Sequence, residues 1–140
     1  MKVQKLDHIH IYVNELEKAV RFFSEILGTK FSEVVEKPGW DFKLAMEPLG
    51  LELVQPTSPE GGTARAMQKR GEGIFMVSFK VPNLDEAVAE MEAKGMRVIN
   101  RIQDGKLREV QFHPRDAHGV MIELAEYEEV HGVIQASRPK

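Results

Sequence analysis

Polar and apolar residues alternate strictly between Asp7 and Val13. Ile9, Ile11 and Val13 fall on one face and His8, His10 and Tyr12 on the other, which predicts a half-buried strand with a polar second face. The period then changes. Leu16, Ala19, Val20, Phe23, Ile26 and Leu27 recur at helical spacing, with Asn14 and Glu17 as an expected N-terminal cap and Gly28 as the left-handed residue that closes the helix. Further strands are expected at Phe31 to Val35, Trp40 to Met46 and Leu51 to Val54, separated by turns at Pro38-Gly39 and Gly50. A shift of 68 residues then lays Met76-Val77-Ser78-Phe79-Lys80-Val81, followed by Leu84, Ala87 and Val88, onto His8 to Val13, Leu16, Ala19 and Val20. Two different periodicities survive that shift, so the chain is read as an internal duplication.

The second copy predicts a strand from Ile74 to Val81 and a helix capped by Asn83 and Glu86 and stopped at Gly95. Strands follow at Arg97 to Ile102, Leu107 to Phe112 and Val120 to Leu124, with a turn at Asp104-Gly105. Leu51-Glu52-Leu53 echoes Ile122-Glu123-Leu124 at a shift of 71. Residues 57–73 form a joint, with two helical turns expected over Thr63 to Arg70, and the charged stretch from Glu126 to Lys140 is expected to fray. The fold class is therefore α+β: one domain over 1–140, built of two βαβββ modules at about 5–56 and 74–125.

Four positions stand out as a pseudo-symmetric set, His8 and Met76 in the first strands and Glu52 and Glu123 in the last. Each Glu lies between core-forming neighbours, so its side chain faces away from the packed layer. If each sheet curls, its first and last strands meet around one hollow. Imidazole and carboxylate together suit a divalent metal such as Zn, Fe, Co, Mn or Ni. Tyr12, Ser78 and Lys80 share those faces and are expected to line the hollow, Lys80 equally as a rim residue. Glu109, Gln111 and His113, alternating with Val110 and Phe112, are read as an exposed polar face. Scattered cations at Arg70, Lys106, Arg108 and Arg115 are the groups available to a phosphate. Met46, Met67, Met91, Met96 and Met121 read as packing.

Composition narrows the class. Of 140 residues, 42% are hydrophobic and 29% charged, with a net charge of −3, so the chain presents no basic field for nucleic acid. No apolar run approaches the roughly 20 residues of a membrane helix, and no secretory signal is apparent, which makes a cytoplasmic protein the expectation. The absence of cysteine excludes thiolate chemistry.

These segments carry a resemblance. Leu6-Asp7-His8-Ile9, Gly50 to Pro56, Lys69-Arg70-Gly71-Glu72-Gly73, His113-Pro114-Arg115 and Gly119 to Leu124 resemble, in order, segments of the vicinal oxygen chelate superfamily, most closely its methylmalonyl-CoA epimerase branch. The superfamily also includes glyoxalases, extradiol dioxygenases and bleomycin-resistance proteins. The resemblance covers about residues 5 to 125. It implies curled mixed sheets around a shared cavity, a homodimer, and a small-molecule ligand such as an acyl-CoA. It places the four metal ligands on His8, Glu52, Met76 and Glu123, where the branch has a His-His pair in place of Phe75-Met76. A thioether suits Cu(I) better than harder ions, so Met76 implies an impaired or absent metal. Three outcomes stay open: His10 substitutes for Met76; His8, Glu52 and Glu123 hold the ion with added water; or Met76 and Phe75 line a metal-free cavity. The implied activity is proton transfer beside a carbonyl, in an isomerase of the epimerase kind or a lyase of the glyoxalase type, with Glu123 and Glu52 as catalytic carboxylates. The alternative is a non-catalytic binder of the bleomycin-resistance type.

Overall fold

The computed structural model describes residues 1–128. In chain order the elements are β1 (Lys5–Tyr12), α1 (Leu16–Leu27), β2 (Phe42–Met46), β3 (Leu51–Pro56), α2 (Gly62–Arg70), β4 (Gly73–Lys80), α3 (Leu84–Ala93), β5 (Val98–Asp104), β6 (Leu107–Phe112), a single 3-10 turn (Pro114–Ala117) and β7 (Met121–Glu126). The α+β class is as expected. No helix among the described residues is long and apolar enough to cross a membrane. Two compact units divide the chain, one made of Met1–Ile9 with the described residues from Phe75 onward, the other of His10–Ile74.

In the unit His10–Ile74, β2 and β3 form an antiparallel hairpin in which Leu44 faces Val54 and Met46 faces Glu52. The backbone N–H of Val13 donates to Val54 at 2.8 Å and ties the end of β1 to this pair. Helix α1 lays Leu16, Ala19, Val20 and Phe23 on a core of Val13, Phe31, Ala45 and Leu53. Leu16 and Leu53 are fully buried, each contributing about 1.5–3 kcal/mol over exposure. Three expectations are corrected here. Ile26 and Leu27 are 57% and 45% exposed, outside a core that instead takes Phe31 from the chain after the helix. The segment from Phe31 to Val35 is not a strand. It touches β2 through a bridge between Val35 and Leu44, and the Ser32 hydroxyl takes the Met46 N–H at 3.0 Å where a ladder would use a carbonyl. Finally, Asn14 does not cap α1. Glu15 occupies the N-cap without a side-chain bond, and the Leu16 N–H is satisfied by the Gln55 side chain of β3 at 2.7 Å.

Two carboxylates organise the connections of this unit. Glu47, completely buried, accepts from Leu49 N at 2.8 Å, Leu51 N at 2.7 Å and Thr29 Oγ1 at 3.0 Å, closing the β2–β3 turn. Asp41 caps α2 from outside the helix: its Oδ2 accepts Thr63 N at 3.0 Å and its Oδ1 accepts the Thr63 hydroxyl at 2.8 Å. Gly61, the N-cap, leaves room for it, since a Cβ there would fall 2.4 Å from Asp41 Oδ2.

In the other unit β4 and β7 run parallel, while β6 pairs antiparallel with both β7 and β5. Gln4 N donates to Lys80 O at 2.8 Å, which ties the start of β1 to the end of β4. Helix α3 begins as expected, with Asn83 Oδ1 accepting Glu86 N at 3.1 Å. Its Leu84, Ala87 and Val88 bury against Val81, Val110, Phe112 and Leu124, with Phe79, Met91, Met96 and Ile122 alongside. The expected fraying does not begin at Glu126. That residue ends β7, accepting Leu84 N and Arg108 Nη1 at 3.2 Å each, and Tyr127 after it is buried. The rest of the expected tail, residues 129–140, lies outside the described residues.

Candidate metal and proton-transfer site

Strand alternation decides what the sheet of the second unit offers on the face away from α3. Because Val110, Phe112 and Leu124 point into the helix-packed core, Glu109, Gln111 and Glu123 must point the other way. The register then lines them up: Glu123 faces Ser78 across β4–β7 and Gln111 across β6–β7, and Glu109 faces Ala125. Met76 stands one step along β4, opposite Met121. The exposed face expected for Glu109 and Gln111 is thereby corrected. Glu109 is only 8% exposed, and Gln111 donates its Nε2 to Glu123 Oε2 at 2.8 Å while its own oxygen accepts from Asn100 at 3.3 Å.

His8 completes this group from β1. Its ring is buried, with Nδ1 2.7 Å from Asp7 Oδ2 and Nε2 3.4 Å from Glu123 Oε1. A carboxylate only accepts, which assigns the Nδ1 proton to that bond and leaves Nε2 to face Glu123. The Tyr127 hydroxyl donates to the other oxygen of Asp7, fixing the carboxylate in turn. A histidine whose far nitrogen is held by a carboxylate is the arrangement by which proteins orient imidazole ligands. His8, Glu109 and Glu123 each offer a ligand atom, all within 4.8 Å of one another, and all three residues are buried. One imidazole with two carboxylates fits a hard or borderline divalent ion.

The unit His10–Ile74 carries a second imidazole–carboxylate pair, with His10 Nδ1 3.4 Å from Glu52 Oε1 and both residues buried. Met76 and Ser78 are buried, and Tyr12 is half-buried at the end of β1. Lys80 Nζ lies 4.2 Å from the centroid of the Tyr127 ring. Of the scattered cations available to a phosphate, Arg108 is engaged by Asp85 and Glu126 and Lys106 by Glu128.

Sequence reasoning missed Asp7, Tyr127 and Glu109 as parts of this group. Glu109 was open to the inference that found Glu123, a polar residue between two core positions. Asp7 was signalled only by its adjacency to His8, and Tyr127 by nothing local.

Fold and site together define a class. Residues 5–124 match the Glyoxalase/Bleomycin resistance protein/Dioxygenase superfamily, and the chain belongs to it. Among its relatives, the mitochondrial methylmalonyl-CoA epimerase of Homo sapiens is 31% identical over 127 residues, covering 86% of this chain and 72% of that protein. Lactoylglutathione lyase of Schizosaccharomyces pombe is 28% identical over 152 residues, covering 92% of this chain and 49% of that protein. Among solved structures, a variant of Streptomyces coelicolor methylmalonyl-CoA epimerase in complex with 2-nitronate-propionyl-CoA gives a TM-score of 0.81 at 26% identity, covering 94% of this chain and 99% of that one.

Proposed function

We propose that the protein is an enzyme that moves a proton on the carbon beside a carbonyl, with a small acyl-CoA as substrate and a divalent ion held by His8 and Glu123. The observation that carries this reading is the oriented imidazole: Asp7 holds His8 Nδ1 while Nε2 lies 3.4 Å from Glu123 Oε1. A bound ion supplies Lewis-acid polarisation of the carbonyl. The chain's own residues do the rest. Asp7 and Tyr127 keep the His8 ring fixed, and Gln111 keeps Glu123 turned toward it. Glu52, beside His10, takes the proton from the carbon and returns it, as general base and then general acid. The carboxylate of Glu123 has the same capacity when no ion occupies it. Relatives named as epimerases, one with methylmalonyl-CoA bound, support the substrate class.

Buried Met76 and Phe75, at the places where the epimerase branch has its His-His pair, favour a second reading: a metal-free binding protein with an apolar cavity. Incubating the protein with Co(II) and methylmalonyl-CoA in deuterated water separates the two. The enzyme reading expects deuterium at the α-carbon, at a rate lowered at least about 100-fold in Glu52→Gln, the loss expected when general base catalysis is removed. Binding of the thioester without exchange would leave the second reading standing.

A further inference from the structure

We infer that Glu109 is a ligand of the divalent ion, completing with His8 and Glu123 a site that Met76 cannot complete. The inference deepens the metal reading above and rests on it. The resemblance provides four ligand positions, none of which is residue 109, and one of the four holds a thioether.

Glu109 is brought in by β6. It lies two residues before Gln111, the residue that holds Glu123, and on the same face, so the strand that orients one carboxylate delivers the other. Opposite it in the β6–β7 register is Ala125, fully buried and with no side chain beyond Cβ, so no large side chain stands in its way on the neighbouring strand. Its carboxylate shares a 4.8 Å sphere with ligand atoms of His8 and Glu123. Two carboxylates held that close repel when both are ionised. A divalent cation between them turns that repulsion into attraction, and the lone pair at His8 Nε2 provides a third donor.

Ser78 gives an independent sign that something belongs here. Its hydroxyl is completely buried and has no hydrogen-bond partner among the described residues. It stands beside Glu123 in the β4–β7 register and therefore on the same face. Buried hydroxyls are nearly always satisfied, and a water carried by an ion on Glu123 would satisfy this one. The donor set of one nitrogen and two carboxylates selects ions such as Mn(II), Co(II) or Zn(II), and the oxygen-rich set favours the harder of them.

The test is Co(II) binding to the metal-stripped full chain by calorimetry and by visible absorption, for wild type, Glu109→Gln, Glu109→Asp and His8→Ala, with far-ultraviolet circular dichroism to verify folding. Wild type is expected to bind one equivalent. Glu109→Gln is expected to lose on the order of 100-fold in affinity, at or beyond the loss of an outer partner. Glu109→Asp, which keeps the charge but draws the oxygen back, should fall between and remains informative if the glutamine variant fails to fold. The inference is overturned if both Glu109 variants bind Co(II) within about threefold of wild type while His8→Ala abolishes binding, a result that leaves the proposed function intact. Failure of wild type to bind Co(II) at all overturns this inference and the metal reading together.

Discussion

Replacing Asp7 separates orientation of the imidazole from its mere presence. The Asp7 side chain is completely buried. One oxygen receives His8 Nδ1 at 2.7 Å and the other the Tyr127 hydroxyl. Lys5 approaches at 3.6 Å but is more than half exposed and contributes little. Asp7→Asn keeps an acceptor for Nδ1 but removes the charge that makes the ring a stronger donor at Nε2. The expected loss in Co(II) affinity is roughly tenfold, the low end of what such outer partners are worth. Asp7→Ala removes the acceptor too and should reach about 100-fold, or about 2.7 kcal/mol. It also takes away the acceptor that the Nδ1–H and the Tyr127 hydroxyl share, at about 1–3 kcal/mol each in folding stability. Calorimetric Co(II) titration read beside a thermal melt distinguishes the two effects: asparagine should lower affinity with little change in melting, alanine should lower both. Affinity within twofold of wild type in both variants, with the fold retained, would refute the reasoning that Asp7 prepares His8 as a ligand.

Other consequences follow from the same geometry. Glu47→Ala strips the acceptor from two backbone N–H groups and the Thr29 hydroxyl, so stability should fall by about 2–5 kcal/mol and the melting temperature by on the order of 10 °C; Glu47→Gln, which keeps one oxygen, should lose less. Burial raises the pKa of Asp41, but the hydrogen bonds from Thr63 outweigh it and leave the carboxyl below its ordinary value. Its contribution is therefore present above the unfolded value of about 3.9 and lost as pH falls through the lower folded value, so the stabilities of wild type and Asp41→Asn should converge only on the acid side of that unfolded value in acid-denaturation curves. Gly61→Ala should mimic loss of that cap at neutral pH, costing about 1 kcal/mol in urea unfolding, because its Cβ would collide with Asp41. Met76→His should raise Co(II) affinity about tenfold or more in the calorimeter if the fourth position is merely missing its ligand.

What the sequence disclosed was periodic. The strand around His8, the α3 cap at Asn83 and the buried carboxylate Glu123 were all readable because polarity repeats with strand and helix spacing. What it concealed depended on partners distant in the chain. Gln55 satisfies the first turn of α1 from β3, so Asn14 looked like a cap without being one. Ser32 replaces a ladder carbonyl with its hydroxyl, and the expected strand at Phe31 to Val35 shrinks to a bridge. Tyr127 reaches Asp7 across almost the whole chain, and no local pattern marks such a pair. Glu109 differs from these: the alternation of β6 marks its face, but polarity alone does not tell which face of a strand is wet.

Crystals of the protein grown with Co(II), measured at the cobalt absorption edge, would put the central claim to its most direct test. An anomalous peak about 2.0–2.2 Å from His8 Nε2 and from a Glu123 oxygen, with His8 Nδ1 still on Asp7, is the predicted result. A map with no peak there, and His8 Nε2 simply hydrogen-bonded to Glu123 in protein saturated with cobalt, would contradict it.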